Sequence, residues 1–193
     1  MIIGLTGLKN SGKGTVANIL AEEFGYLELS FAFKLKSVCA ALFDWDRAMM
    51  EGFTEYSRNW REKPDAYWSE KLGRDFSPRN AMEEIGTDIL RKHFHKDIWL
   101  FSLEKAILKY KDGLVISDVR FDNEVELLKK YGGKIWRIER DPLPDWWGKM
   151  HVPVNVHVSE WGMAHLPVDC VIKNNGNIRE LEKQVLELVK HEK

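Results

Sequence analysis

Apolar positions follow two rhythms along the chain. MIIGLT at 1–6 is a short continuous apolar run, the pattern of a strand buried on both faces. Val16, Ala17, Ile19, Leu20 and Phe24 then recur at helical spacing and Gly25 stops them, which predicts a helix over 13–24. Residues 26–30 suit a second short strand, and Leu35, Val38, Cys39, Leu42 and Phe43 mark one face of the next helix. From 44 to 79 the rhythm breaks up. Ser77 as cap and Pro78 at the first helical position restart a helix carrying Met82, Ile85, Ile89 and Leu90, and another is expected over 98–110. LVIS at 114–117 reads as a buried strand, followed by a helix near 124–131 and a turn at Gly132 and Gly133. KIWRIE at 134–139 alternates as the next strand, 140–166 is irregular with Pro142, Pro144 and Pro153, and VDCVI at 168–172 is the last strand. Leu181, Val185, Leu188 and Val189 mark a C-terminal helix. Strands alternating with helices, opened by strand, glycine loop and helix, predict an α/β domain on a mainly parallel sheet.

Composition narrows this picture. The 193 residues suffice for one well-buried core, so a single domain is expected over 1–193. Lys and Arg total 29 against 30 Asp and Glu, a net charge of −1 that argues against a nucleic-acid binder held by a basic surface. No apolar run is long enough to span a membrane, and the MIIG start lacks the basic residues and cleavage site of a signal peptide. Cys39 and Cys170 lie far apart, which disfavours a disulfide framework or zinc ribbon and points to a reducing, cytoplasmic compartment. Most of the eight Trp fall in two polar stretches, 44–79 and 140–166. Each suits either packing in a satellite cluster or stacking on a base.

The strongest motif is GLKNSGKGT at 7–15. Its G-x4-GK core follows a predicted strand and opens a predicted helix, the context a phosphate-binding loop requires. Backbone N–H groups of Asn10, Ser11, Gly12, Lys13, Gly14 and Thr15 can converge on phosphate oxygens, helped by the helix N-terminus. Lys13 adds a full charge toward the β- and γ-phosphates. Gly14 stands where the usual pattern has a magnesium-ligating Ser or Thr, and Thr15 comes one position later. GKGT is similar to adenylate kinase and other nucleoside monophosphate kinases. That likeness implies a Mg2+ ion held mainly by phosphates and water, with Thr15 at the α-phosphate. Asp118 sits just past a buried strand, where ligands gather in parallel sheets. It suits an outer-sphere Mg2+ contact, an acceptor for the substrate sugar or base, or an ordinary helix cap.

Several blocks in order carry a wider resemblance: the loop at 7–15, SFAFKLK at 30–36, PRNAMEEIGTDILR at 78–91 with Trp99, SDVRFDNE at 117–124 and HVSE at 157–160. Together they resemble the deoxynucleoside monophosphate kinases of large bacteriophages over most of the chain. The resemblance implies a three-layer P-loop kinase fold, helices on both faces of the sheet, with a helical acceptor-binding insertion at about 44–95 and a lid-like segment at about 140–166. It implies transfer of the ATP γ-phosphoryl group to a deoxynucleoside 5'-monophosphate, with Mg2+, in the host cytoplasm if the gene is a phage's. Substrates are small molecules; no stable nucleic-acid partner or membrane is expected, and a homodimer is compatible. Lys13, Asp118 and Arg120 are the candidate catalytic groups, and Arg140, with Lys149, a candidate phosphate contact from the lid. Lys9, Lys34, Arg58, Arg61, Arg79, Thr87, Asp88, Trp99, Asp118, Arg120, His157 and Glu160 are candidates for binding the acceptor. Arg120 alternatively forms a structural ion pair with Asp122 or Glu124.

Two other readings stay open. A P-loop kinase of another metabolite, such as dephospho-coenzyme A, shares the loop. A single-stranded nucleic-acid binder would use the Trp and Arg stretch as a stacking platform.

Overall fold

The computed structural model describes residues 1–149 and 162–191. The chain divides into two compact units, one made of Met1–Ser30 with Leu103–Lys193 and the other of Phe31–Ser102. The stretch 44–95, where an insertion is expected, falls within the second unit.

The first unit is built on five parallel strands in the order β2-β3-β1-β4-β5. These are β1 (Ile2–Thr6), β2 (Leu27–Leu29), β3 (Leu114–Ile116), β4 (Lys134–Glu139) and β5 (Cys170–Lys173). The central strand, β1, is buried at every position, as its unbroken apolar run predicts. Helix α1 (Lys13–Phe24) and the C-terminal helix, labelled α8 below, cover one face. There Ile3, Leu5, Val115, Trp136, Ile138 and Ile172 of the sheet meet Val16, Leu20, Val185 and Val189. On the other face α7 (Asp122–Lys130) lays Leu128 over the bare Cα of Gly4. Three layers result. The last strand is observed at Cys170–Lys173, slightly later than the apolar run at 168–172, because Asp169 turns its carboxylate back to the Ile135 N–H at 2.6 Å.

The second unit contains α2 (Phe33–Phe43), a 3-10 turn at Met49–Glu51, α3 (Glu55–Glu62), α4 (Ala66–Leu72), α5 (Pro78–Glu83), a π-helical segment at Glu84–Phe94 and the start of α6 (Ile98–Tyr110). The stretch 44–79, read as irregular from its broken periodicity, holds two capped helices. Thr54 and Ser57 form a capping box for α3, and Asp65 accepts from Trp68 N at the start of α4. The expected cap at Ser77 and first-position Pro78 are present. Downstream the helix widens, with His95 N donating to Leu90 O, an i to i−5 bond. The last helix, α8, spans Ile178–His191.

A cluster of aromatic rings packs beside the buried Leu35, Met50, Ala81 and Ile85 of this unit. Phe43 packs against Trp45, Trp68 and Phe76 at centroid distances of 4.6, 5.0 and 5.3 Å, and Trp45 meets Trp60 edge-on at 6.1 Å. Two of these indoles also hydrogen-bond: Trp45 donates to Asp65 at 2.9 Å and Trp68 to the Phe43 carbonyl at 3.1 Å. Trp45, Trp60 and Trp68 are thus packing residues here.

Glu51 closes the turn by pairing with Lys36 and Arg47, each at 2.5 Å. Burial pushes its carboxyl pKa up, but the Lys36 and Arg47 contacts outweigh that and hold it below its usual value. A carboxyl lowered in the folded state contributes stability above its unfolded pKa and loses it as pH falls through the folded value. Glu51→Gln should therefore cost about 2 kcal/mol at neutral pH. In thermal melts over a pH series, the gap from the parent should close below the usual carboxyl value of 4.5. A pH-independent gap would assign the loss to packing instead.

Candidate active site

The glycine loop leaves the C-terminal end of β1 and enters α1 at Lys13. Its backbone visits left-handed geometry at Gly7, Asn10 and Gly12, with φ of 138°, 66° and 109°. Asn is the non-glycine residue best suited to that region. At Gly12 the need for glycine is steric as well as conformational: a Cβ would lie 2.3 Å from Asn174 Nδ2. That amide, from the loop after β5, donates to the Ser11 carbonyl at 2.8 Å. Lys13 Nζ curls back over the loop and donates to the carbonyls of Gly7 and Leu8 at 2.8 and 2.7 Å. The Ser11 hydroxyl is buried with no hydrogen-bond partner. Lys9 and Asn10 are exposed at the tip, and Thr15 is half-buried one turn inside the helix.

A pocket of ≈ 310 Å³ opens beside the loop, lined by Thr15, Arg140, Asn174, Gly176, Asn177, Ile178 and Leu181. Arg140 is a phosphate-contact candidate from its sequence, whereas Asn174 and Asn177 carry no such local signal. An NNGN run at 174–177 reads in sequence as a turn, and only the sheet order brings it beside residue 12.

Asp118 and Arg120 follow β3, the neighbour of β1. Val119 N bonds Leu5 O at 3.1 Å, so Asp118 leaves the sheet at the same end as the glycine loop. The buried Glu124 accepts the backbone N–H groups of Arg120 and Phe121 at 2.7 and 3.3 Å, capping α7. Glu124 therefore engages Arg120 through the main chain, as well as holding the helix start.

Within the second unit, Arg58 donates to the Gly52 and Phe53 carbonyls and Arg61 to those of Met50 and Glu51, at 3.1 to 3.4 Å. Burial and then the neighbouring Arg79 charge draw the Arg61 guanidinium below its usual pKa. Arg79 pairs with Glu83 at 2.8 Å and Asp88 with Lys92 at 2.5 Å, both on exposed surface. Thr87 and Lys34 are exposed, Lys34 Nζ lying 5.6 Å from the Phe33 ring centroid. Trp99 is buried and donates to the Gly86 carbonyl at 3.1 Å, which ties it to helix packing. His157, Glu160 and Trp161 lie outside the described residues, as do positions 150–161 of the segment expected to act as a lid.

A family model for deoxynucleotide monophosphate kinase matches residues 61–185. A candidate deoxynucleotide monophosphate kinase of Acanthamoeba polyphaga mimivirus is 33% identical over 202 residues, covering 98% of this chain and 96% of that one. The chain belongs to the deoxynucleotide monophosphate kinase family. A deoxynucleoside-5'-monophosphate kinase of Escherichia phage T5 is 47% identical over 55 residues, 28% of this chain and 22% of its own. In fold the kinase resembles shikimate kinase from Aquifex aeolicus, with a TM-score of 0.52 at 18% identity, covering 100% of this chain and 98% of that one. Dephospho-CoA kinase from Campylobacter jejuni gives 0.51 at 14%, covering 98% and 95%. These likenesses show a P-loop kinase fold, as expected from the motif order. Among the described residues no helix is long and apolar enough to cross a membrane.

The loop geometry separates two glycines of the kinase. Gly12→Ala forces a Cβ onto Asn174 at a φ of 109° and should destabilise by about 2 kcal/mol. Gly14 has nothing within 4 Å of its Cβ position, so Gly14→Ala should be neutral or stabilise by up to about 1 kcal/mol. Urea denaturation of both variants checks the ordering; equal losses would mean that Asn174 does not crowd the loop.

Proposed function

We propose that this kinase transfers the γ-phosphoryl group of ATP to a deoxynucleoside 5'-monophosphate, yielding the diphosphate and ADP. The observation that carries this reading is the glycine loop at the end of β1, in a chain that is similar over nearly its whole length to a candidate deoxynucleotide monophosphate kinase. Phosphoryl transfer asks the protein chiefly for positioning and charge stabilisation. In this reading the N–H groups of 10–15 hold the donor phosphates, and Lys13 exchanges its two carbonyls for phosphate oxygens. The pocket bounded by Thr15, Arg140 and Asn177 takes the rest of the donor nucleotide. Arg58, Arg61 and Arg79 attract the acceptor phosphate, with Lys9 and Lys34 adding charge, and Arg120 offers a bidentate fork. Thr87 and Asp88 offer hydrogen bonds to the acceptor sugar.

Mg2+ bound with ATP would neutralise charge on the phosphates during transfer. Among the described residues, no group of three or more His, Cys, Asp or Glu side chains is arranged to hold a metal. The oxygen donors next to the loop, Thr15 and Asp118, suit an ion carried mainly by phosphates and water, with contact at one edge.

A coupled assay of ATP consumption against a panel of deoxynucleoside monophosphates, ribonucleotides and dephospho-coenzyme A tests the reaction. Turnover should rise with at least one deoxynucleoside monophosphate; turnover with dephospho-coenzyme A alone would overturn the reading. Lys13→Ala should lower kcat by about 10³-fold or more with the fold intact by circular dichroism. Arg79→Ala should raise the acceptor KM more than the ATP KM; equal changes would remove it from the acceptor site.

A further inference from the structure

Glu139 ends β4 with its carboxylate buried, and three cations or donors converge on it. Lys173 Nζ lies 2.5 Å from Oε2, Trp147 Nε1 donates to Oε1 at 3.3 Å, and Arg137 Nη1 lies 3.9 Å from Oε1. Arg137 is itself held: Nη2 donates to the Leu166 carbonyl at 2.7 Å, and its guanidinium carbon lies 5.8 Å from the centroid of the Trp147 ring. Its Nε is buried without a partner. Burial draws the Arg137 guanidinium below its usual pKa while Glu139 opposes that, and the bond to Glu139 holds the Lys173 amine above its own. One carboxylate thus gathers β4, β5 and the chain at 147, and through Arg137 the chain at 166.

The strand register gives this cluster a consequence for the donor pocket. Glu139 and Lys173 are paired positions on neighbouring parallel strands, and the Glu139 carbonyl accepts from Asn174 N at 2.8 Å. The next residue on each strand, Arg140 and Asn174, lines the pocket. One step further, Asp141 N donates to Asn175 Oδ1 at 2.9 Å and Asn175 Nδ2 returns a bond to Asp141 at 2.6 Å. Arg140 and Asn174 are therefore bracketed by two rungs. The outer rung is exposed and competes with water. The inner one has its carboxylate out of solvent, where breaking a pair leaves an uncompensated charge.

A carboxylate so close to a phosphate pocket would repel the ligand if it faced it. Here its charge is absorbed by Lys173 and Arg137 and its geometry is fixed by the sheet. We propose that Glu139 is a positioning residue for the donor nucleotide: by clamping Lys173 and Trp147 it holds Arg140 and Asn174 in register at the pocket. This rests on the reading of that pocket as the donor subsite.

The test uses the full chain and steady-state kinetics with ATP and the best deoxynucleoside monophosphate. Glu139→Gln keeps an acceptor for Trp147 but removes the charge, and should raise the ATP KM about tenfold while the acceptor KM stays within about twofold. Lys173→Met should act in the same direction, by about threefold. Arg140→Ala and Asn177→Ala report on the pocket itself. If neither raises the ATP KM, the donor-subsite reading fails and the proposal falls with it. If they do raise it while Glu139→Gln and Lys173→Met do not, the positioning role alone is overturned. A change in both KM values alike, or only a loss of active enzyme with a lower Tm, would also overturn it by making Glu139 merely structural. Should Glu139→Gln fail to fold, Lys173→Met decides, because that side chain is 56% exposed and its loss leaves the core intact.

Discussion

A phosphate cradle made of backbone must point its N–H groups inward and find partners elsewhere for the carbonyls it turns out. The Asn174 amide meets that requirement by donating to the Ser11 carbonyl across 163 residues of sequence. Because the carbonyl is buried, leaving it unsatisfied would cost on the order of 1–3 kcal/mol. The bond forms only because Gly12 has no Cβ to fill the space and because β5 is the second strand from β1. The N-terminal loop thus depends on the C-terminal strand. The parallel sheet, with β4 interposed and paired to both, is what makes them neighbours.

The second unit solves a different problem with different material. It has no sheet, and its longest regular helical elements are 11 residues each before α6 begins. Short helices bring little cooperativity of their own, so tertiary packing must hold them. Rings with polar handles suit this, since each buries a large area while its N–H reaches a nearby carbonyl or carboxylate. The concentration of Trp in 44–79 follows from that need, without any ring being required to stack on a base.

The parts of the fold legible in the sequence are those whose signal is local. The apolar run of β1, the 13–24 helix, the Ser77 and Pro78 start and the glycine loop each announce themselves within a dozen residues. Helices α3 and α4 leave no periodic signal because 8 and 7 residues are too few to establish a period, and the rings they contribute to packing, Trp60 and Trp68, are only partly buried. Their caps, Thr54 and Asp65, were the available signal. Arg137 in KIWRIE reads as the solvent side of an alternating strand, yet its side chain is only 12% exposed because Glu139 and Leu166 receive it. Asn174 and Asn177 could not be found by pattern at all. Their role comes from sheet order, which no local spacing encodes.

The cations of this chain differ in what holds them, and the difference bears on the proposed reaction. Lys36 and Arg47 are tied to Glu51, and Arg79 to Glu83. Arg58 and Arg61 instead rest on main-chain carbonyls, and among the described residues neither makes an ion pair within 4.0 Å. A carboxylate partner neutralises a guanidinium and must be displaced by an incoming phosphate. A carbonyl dipole orients the same group without cancelling its charge. The Lys13 ammonium also donates to main-chain carbonyls, those of Gly7 and Leu8. An exposed pair such as Arg79 with Glu83 is worth well under about 1 kcal/mol and yields readily. Lys36 and Arg47, locked by a largely buried carboxylate, do not. The net charge of −1 therefore hides a division of labour, in which some cations build the second unit while Arg58 and Arg61 are held by main-chain carbonyls.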